Sequence, residues 1–449
     1  MIHMNISDFL IERKDEMLEN LMEFIRIPSI SCDIPEVKRS LRYILNLAES
    51  LGFSAKALLD ERIGLIEFGE GTETFGILAH VDVVPGGDED SWVSPPFAPE
   101  IRDGALFGRG AQDDKGPIIA SLYALKAAAM LGLPFRKKVQ IILGTQEEAE
   151  WTDMDDYTKS FPLPDYGFTP DGEFPLCNIE KGFGNVTLLF PLTKTEKQAG
   201  KYTLLAVSGG TAENIIPDAC SVRLQKDGKV YTVKATGTSV HSCMPEKGDN
   251  AIVNLFTILK ELPMACQAER EVVLLIADKL SDIYCGAIGL DGRPEYHNGE
   301  FIHRNCLSPT VISMDENGIK ISVNVRIAYG TTPAEMLEGF KKLAGSAGGL
   351  VLDSSFSPAT YINKDQPFMK ALAEAYESVS GIKNEFSLAY GGSYAKAMPN
   401  IVSWGPIFPD EDDTTHMINE CIRIDSLMKT AEIYGEAIRR IALSDDRMR

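Results

Sequence analysis

The stretch Gly76-Ile77-Leu78-Ala79-His80-Val81-Asp82 constrains this chain more than any other. It opens as an apolar run, the pattern of a strand buried on both faces of a sheet, which calls for helices above and below. His80 and Asp82 then stand two positions apart, so an imidazole and a carboxylate project to the same side as the strand ends. Pro85-Gly86-Gly87 stops the strand there. Carboxyl ends of strands are where open α/β sheets place ligands, and a carboxylate beside a histidine fixes the tautomer of a metal-binding imidazole. Alone, the pair reads more readily as a strand reaching solvent. Its meaning depends on what converges with it.

Three further acidic places, one of them the Glu147-Glu148 pair, can converge with it. Residues 138–143 form another apolar run, followed by Gly144-Thr145-Gln146-Glu147-Glu148. A short strand over 166–169 is followed by Pro170-Asp171. A hairpin turn at Asp103-Gly104 leads into Gly108-Arg109-Gly110-Ala111-Gln112-Asp113-Asp114-Lys115-Gly116, ahead of an Ala-rich helix over 118–130 with Pro117 at its start. Asp113, Glu147, Glu148 and Asp171 each follow an element that can end on the same sheet edge as His80. Carboxylates collected there repel one another unless cations neutralise them. Oxygen-rich ligation with few histidines suits zinc, manganese or cobalt.

The remaining pattern describes two styles of folding. Residues 8–26 and 36–51 read as amphipathic helices, with Gly52 closing the second. After 183 the texture changes to strand pairs followed by helices. A hairpin over 222–236 turns at Asp227-Gly228, and a helix over 248–262 takes Asp249 as its N-cap. A second hairpin turns at Asn317-Gly318, and a helix over 332–344 has Pro333 in its first turn. This hairpin–helix order occurs twice, a weak internal duplication. From 387 the first texture returns, ending in a helix capped by Asp425. The expected architecture is α/β: a catalytic α/β/α domain with a mixed sheet, in two pieces (1–182 and 387–449), split by an inserted α+β lid domain (183–386).

Acidic residues number 65 against 44 basic ones, a net charge of -21. That argues against nucleic acid and anionic membranes as partners, since both need a basic surface. No apolar run reaches the roughly 18 residues that a membrane span needs, and the N-terminus lacks the apolar core of a secretion signal. Eight scattered cysteines without a C-x-x-C pair read as reduced thiols. The expectation is a cytoplasmic protein.

Five blocks, in order along nearly the whole chain, resemble the co-catalytic dinuclear metallopeptidases: aminoacylase-1, carboxypeptidase G, succinyl-diaminopimelate desuccinylase, the carnosinases and, most closely, the PepV-type bacterial dipeptidases. They are Phe24-Ile25-Arg26-Ile27-Pro28-Ser29-Ile30-Ser31, His80-Val81-Asp82, Gly108 to Gly116, Gln146-Glu147-Glu148 and His416-Met417-Ile418-Asn419-Glu420. The resemblance implies two divalent ions, zinc ahead of manganese or cobalt, bridged by Asp113. His80 and Asp171 then complete the ligands of one ion, and Glu148 and His416 those of the other. Glu147 becomes the general base acting on a hydroxide held between the ions, Asp82 orients His80, and the Asp113–Asp114 peptide is cis.

In the inserted domain, His241 within Thr238-Ser239-Val240-His241-Ser242 resembles the histidine that donates to the oxyanion. Asn214 and Arg326 resemble the PepV-type residues that assist the oxyanion and hold the substrate's C-terminal carboxylate, a task suited to a guanidinium. Gly391-Gly392-Ser393-Tyr394 resembles the Gly-rich substrate loop of the same relatives, with Gly391, Gly392 and Ser393 as its substrate-binding residues. The implied function is hydrolysis of short unblocked peptides, chiefly dipeptides, by a monomer in which His241 serves its own chain. The enzymatic alternative is an N-acyl amino-acid deacylase with the same ions. A catalytically silent binding protein would be marked by loss of Glu147 or of a metal ligand, and neither is lost.

Overall fold

The computed structural model describes residues 5–192 and 198–449, which fall into two compact units. The first holds the chain up to Asn178 with Ile362–Ser387 and Ser393–Arg449; the second holds Ile179–Tyr361 and Leu388–Gly392. The sequence expectation sets these boundaries at 182 and 387. The helix Pro367–Ser380, expected in the insertion, packs instead against the terminal helix Ile424–Ala442 of the first unit. Its Phe368, Met369, Leu372 and Tyr376 form one buried face within that core.

The first unit is built on a mixed sheet. Side by side run Ser54–Leu58, Ile63–Phe68, Lys138–Gly144, Thr74–His80, Tyr166–Thr169 and Ile401–Ser403. The last four are parallel, while Ile63–Phe68 runs antiparallel to Lys138–Gly144. The strand Thr74–His80 lies in the middle and is buried from Phe75 to His80. Its alternate residues Phe75, Ile77 and Ala79 pack into the main core with helices Lys14–Ile25, Ile34–Ser50, Lys115–Met130 and Ile424–Ala442. Leu78 faces the other way, into a smaller cluster with Ile142, Met154, Tyr157 and Met398. Both faces are therefore covered, as the continuous apolar run requires. Lys115–Met130 is the crossover helix between two parallel neighbours and is buried almost all round.

The second unit is a seven-stranded antiparallel sheet with helices Ala251–Lys260, Gln267–Asp278 and Pro333–Gly345 packed on its core. The hairpin–helix order does occur twice, at Ala219–Thr236 with Ala251–Lys260 and at Cys306–Ile327 with Pro333–Gly345. Asp227 and Gly228 adopt left-handed φ values of 48° and 78°, the conformation a two-residue hairpin turn demands.

Several local expectations shift. The predicted helix over 8–26 divides at Arg13 into Ile6–Glu12 and Lys14–Ile25. Asn250 rather than Asp249 caps its helix, its side chain accepting from Ile252 and Val253 N–H. In the second hairpin Asp315 pairs with Gly318, so the turn residues are Glu316-Asn317. Arg423 is the N-cap of the last helix, and Asp425 lies inside its first turn. Thr332 and Glu335 close a reciprocal capping box ahead of Pro333–Gly345.

Candidate metal centre

Strand register brings the acidic positions to one edge. His80 pairs with Gly144 across parallel strands, which sets Glu147 and Glu148 just beyond the same end. Ile77 pairs with Phe168, so the neighbouring strand ends at Thr169 and Asp171 follows on that side. Asp113 sits in the loop before Lys115–Met130, preceding a cis peptide to Asp114. His416 comes from a far loop, in a left-handed conformation with φ 61°.

These side chains converge. His80 Nε2 lies 2.9 Å from Asp113 Oδ1 and 3.9 Å from Asp171 Oδ2. His416 Nε2 lies 3.1 Å from Asp113 Oδ2 and 2.8 Å from Glu148 Oε1. The two oxygens of Asp113 thus face different histidines. Ligand atoms of His80, Glu147 and Asp171 fall within 4.8 Å of one another, as do those of Asp113, Glu148 and His416. Distance alone does not separate Glu147 from the ligands. His80 Nε2 and Asp113 Oδ1 are both buried, 2.9 Å apart, and neither has a hydrogen-bond partner. Two such buried polar atoms side by side fit a shared third partner, and a divalent cation suits this donor set.

The electrostatics agree. Burial, and then the Asp171 carboxylate, push the Glu147 carboxyl well above the ordinary range. Burial and the Asp113 carboxylate raise Asp171 to about 8. The Asp113 and Glu148 carboxylates raise His416 to about 11. Asp113 alone is held low, against its burial, by His416 and His80, while Glu147, Glu148 and Asp171 are driven to hold protons, a strain that positive charge would relieve.

Asp82 has a wider role than orienting His80. Its backbone carbonyl receives His80 Nδ1 at 3.0 Å, while its carboxylate stands 3.5 Å away. That carboxylate accepts instead from Ser31 Oγ at 2.7 Å, Glu147 N–H at 3.2 Å and Glu148 N–H at 3.3 Å. It therefore holds the Glu147–Glu148 turn as well as the histidine.

Three supporting residues escape a reading of the sequence. Glu420 accepts from Arg109 Nη1 at 2.6 Å and from the backbone N–H groups of Gly110, Gln112 and Asp113. Lys115 is fully buried, and its Nζ donates to the carbonyls of Phe24 and Ile27 at 3.1 and 2.7 Å, tying the N-terminal block to the Asp113 loop. Burial lowers Lys115 to about 7. The only sequence signal was membership of these residues in the matching blocks.

The other expected residues gather in the second unit. Ile215 bridges to His241, and Ser242 N–H donates to the Asn214 carbonyl at 2.9 Å. His241 Nδ1 accepts from Cys243 N–H at 3.2 Å, which leaves the ring proton on Nε2 in the neutral form. Burial and the Arg326 charge lower the His241 pKa and favour that form. Arg326 is buried and donates to the Tyr390 carbonyl at 3.1 Å and Ser242 Oγ at 3.4 Å. Its Nε has no partner, and among the described residues no carboxylate pairs with it. Gly391 and Gly392 belong to this unit, whereas Ser393 belongs to the first and is buried, its Oγ accepting Ala395 N–H.

Residues 76–440 match the model of the peptidase family M20/M25/M40, and the chain belongs to that family. It is 31% identical to the "Putative dipeptidase YtjP" of Bacillus subtilis, covering 98% of this chain and 100% of that protein. Among solved structures, the aminoacylhistidine dipeptidase of Vibrio alginolyticus shares the fold with a TM-score of 0.65 at 16% identity, over 97% of both chains. The dipeptidase Dug1p of Saccharomyces cerevisiae does so with a TM-score of 0.62 at 14% identity, over 98% of both.

Proposed function

We propose that this protein is a metal-dependent dipeptidase that hydrolyses short unblocked peptides, with Glu147 as general base. The observation that carries the reading is the division of Asp113, one oxygen facing His80 and the other His416. His80, Asp113 and Asp171 are the residues to hold one divalent ion, and Asp113, Glu148 and His416 the other. Bound there, the pair supplies Lewis-acid polarisation of the scissile carbonyl and acidification of water.

The chain's own groups do the rest. Glu147 takes a proton from the attacking water and delivers it to the amine nitrogen as the C–N bond breaks, leaving the hydroxyl on the carbonyl carbon. The His241 Nε2–H group donates a hydrogen bond to the developing oxyanion, assisted by Asn214. Arg326, a buried guanidinium with no carboxylate partner among the described residues, receives the substrate's C-terminus, and Gly391, Gly392 and Ser393 serve as the substrate loop.

The finer assignments follow the same chemistry. Mixed imidazole and carboxylate donors favour zinc, ahead of manganese or cobalt. None of the eight cysteines forms a disulfide, which suits a reducing cytoplasm. The long insertion supports a monomer with His241 serving its own chain. A panel of unblocked dipeptides such as Ala-Ala against their N-acetyl counterparts, on chelated and then zinc- or manganese-reloaded protein, tests the function. Preference for the blocked compounds would make the enzyme an N-acyl amino-acid deacylase.

A further inference from the structure

We propose that Tyr394, Asp153 and Trp151 form a clamp that positions Glu147 for proton transfer without touching substrate or metal. The proposal rests on the reading of Glu147 as the base.

Glu147 lies on a turn, so its side-chain direction depends on how firmly the surrounding peptides are held. Its N–H is fixed by Asp82 Oδ1 at 3.2 Å, and its carbonyl accepts Trp151 Nε1 at 2.6 Å. The two preceding N–H groups, of Thr145 and Gln146, both donate to Asp153 Oδ2, at 2.6 and 3.2 Å. Asp153 in turn accepts the Tyr394 hydroxyl, at 2.9 Å on Oδ2 and 3.1 Å on Oδ1. The Tyr394 ring stands edge-on to Trp151, with centroids 5.4 Å apart, and edge-on to His80 at 6.2 Å.

A single buried phenol thus reaches both holders of the base turn and the ring of a candidate ligand. Space is made for it on purpose: a Cβ on Gly144 would come within 2.4 Å of the Tyr394 ring and hydroxyl. Packing alone would be served by phenylalanine, since a fully buried hydroxyl is useful only where it finds a partner. Asp153 is likewise fully buried, a costly place for a carboxylate that nothing in the hydrolysis requires. A turn held at four points keeps its base within the narrow geometry that proton transfer needs.

Tyr394→Phe removes the hydroxyl and keeps the ring; Trp151→Phe removes the donor to the Glu147 carbonyl. Both are to be compared with Glu147→Gln in zinc-loaded protein on an unblocked dipeptide, with bound metal and backbone amide exchange over 145–148 also measured. The expected result for each clamp variant is a kcat lowered by up to about 10²-fold, with KM unchanged, both ions retained and faster exchange at Gln146 and Glu147. Wild-type kcat in both clamp variants beside an inactive Glu147→Gln overturns the clamp and leaves the base reading standing. Unchanged exchange, or activity lost in step with bound metal, also overturns it. An active Glu147→Gln overturns the base reading and the proposal with it.

Discussion

The Glu420 carboxylate accepts the backbone N–H of Asp113 at 3.1 Å, although 307 positions separate them in the chain. The same oxygen takes Gln112 N–H at 2.9 Å, and its twin takes Gly110 N–H at 3.1 Å and Arg109 Nη1 at 2.6 Å. The loop presenting Asp113 is therefore moulded around one buried charge supplied from the His416 segment. Burial, and then the Asp113 carboxylate, raise Glu420 to about 7, against the pull of Arg109.

Replacing Glu420 should be costly. Glu420→Ala leaves Arg109 buried without its partner, and breaking such a pair destabilises by about 3–5 kcal/mol. Glu420→Gln keeps one acceptor oxygen and should cost less. Urea unfolding of the metal-free proteins measures both. A loss no larger than that of an ordinary surface substitution in Glu420→Ala would show that the loop holds its shape without this carboxylate.

Glu147→Gln separates the base from the ligands. The amide cannot accept the proton from water, so kcat should fall by about 10²–10⁴-fold. Both ions should remain bound, measured by elemental analysis. His80→Ala should behave in the opposite sense and lose metal. Two retained ions in His80→Ala would contradict the ligand set.

Metal uptake should release protons. Asp171, raised to about 8 by burial and Asp113, and His416, raised to about 11 by Asp113 and Glu148, both carry protons near neutral pH. A metal takes the carboxylate and the neutral imidazole, so binding displaces those protons and apparent affinity rises with pH. The rise should be steeper below about 8, where Asp171 contributes as well, than above it, where the histidines remain. Titration calorimetry in buffers of differing ionisation enthalpy reads the proton count. Uptake without release is incompatible with this centre.

Arg326 should govern affinity for the free C-terminus. Arg326→Met removes charge-assisted hydrogen bonds worth about 1.5–3 kcal/mol, raising KM by roughly 10- to 100-fold with little change in kcat. Lysine should not restore it, since an ammonium lacks the bidentate fork. Dipeptide amides, which carry no carboxylate, should respond little to the substitution. An equal response from acids and amides would remove Arg326 from this task.

Local chemistry made much of this protein legible. A run of apolar residues specifies a strand covered on both faces, because no other setting leaves it dry; hence the central position of Thr74–His80. The turn at Asp227-Gly228 and the helix start at Pro333 are likewise short-range, set by the φ a residue tolerates and the N–H groups a helix start leaves open. His80, Glu147, Glu148 and Asp171 could be found because each follows a strand end. Asp113 could be found in the same way, after the hairpin at Asp103-Gly104, and only its bridging role and the place of His416 came through resemblance to relatives.

What tertiary structure alone decided is the choice of partners. An amphipathic helix such as Pro367–Ser380 shows that it has a face to bury, but not in which core. Asn250 and Asp249 are equally able caps until the surrounding chain positions one of them. Glu420 with Arg109, Lys115 with the Phe24 and Ile27 carbonyls, and Tyr394 with Asp153 are pairings across long stretches of chain. A buried charge or hydroxyl must find its complement in space, and no spacing along the sequence records where that complement comes from.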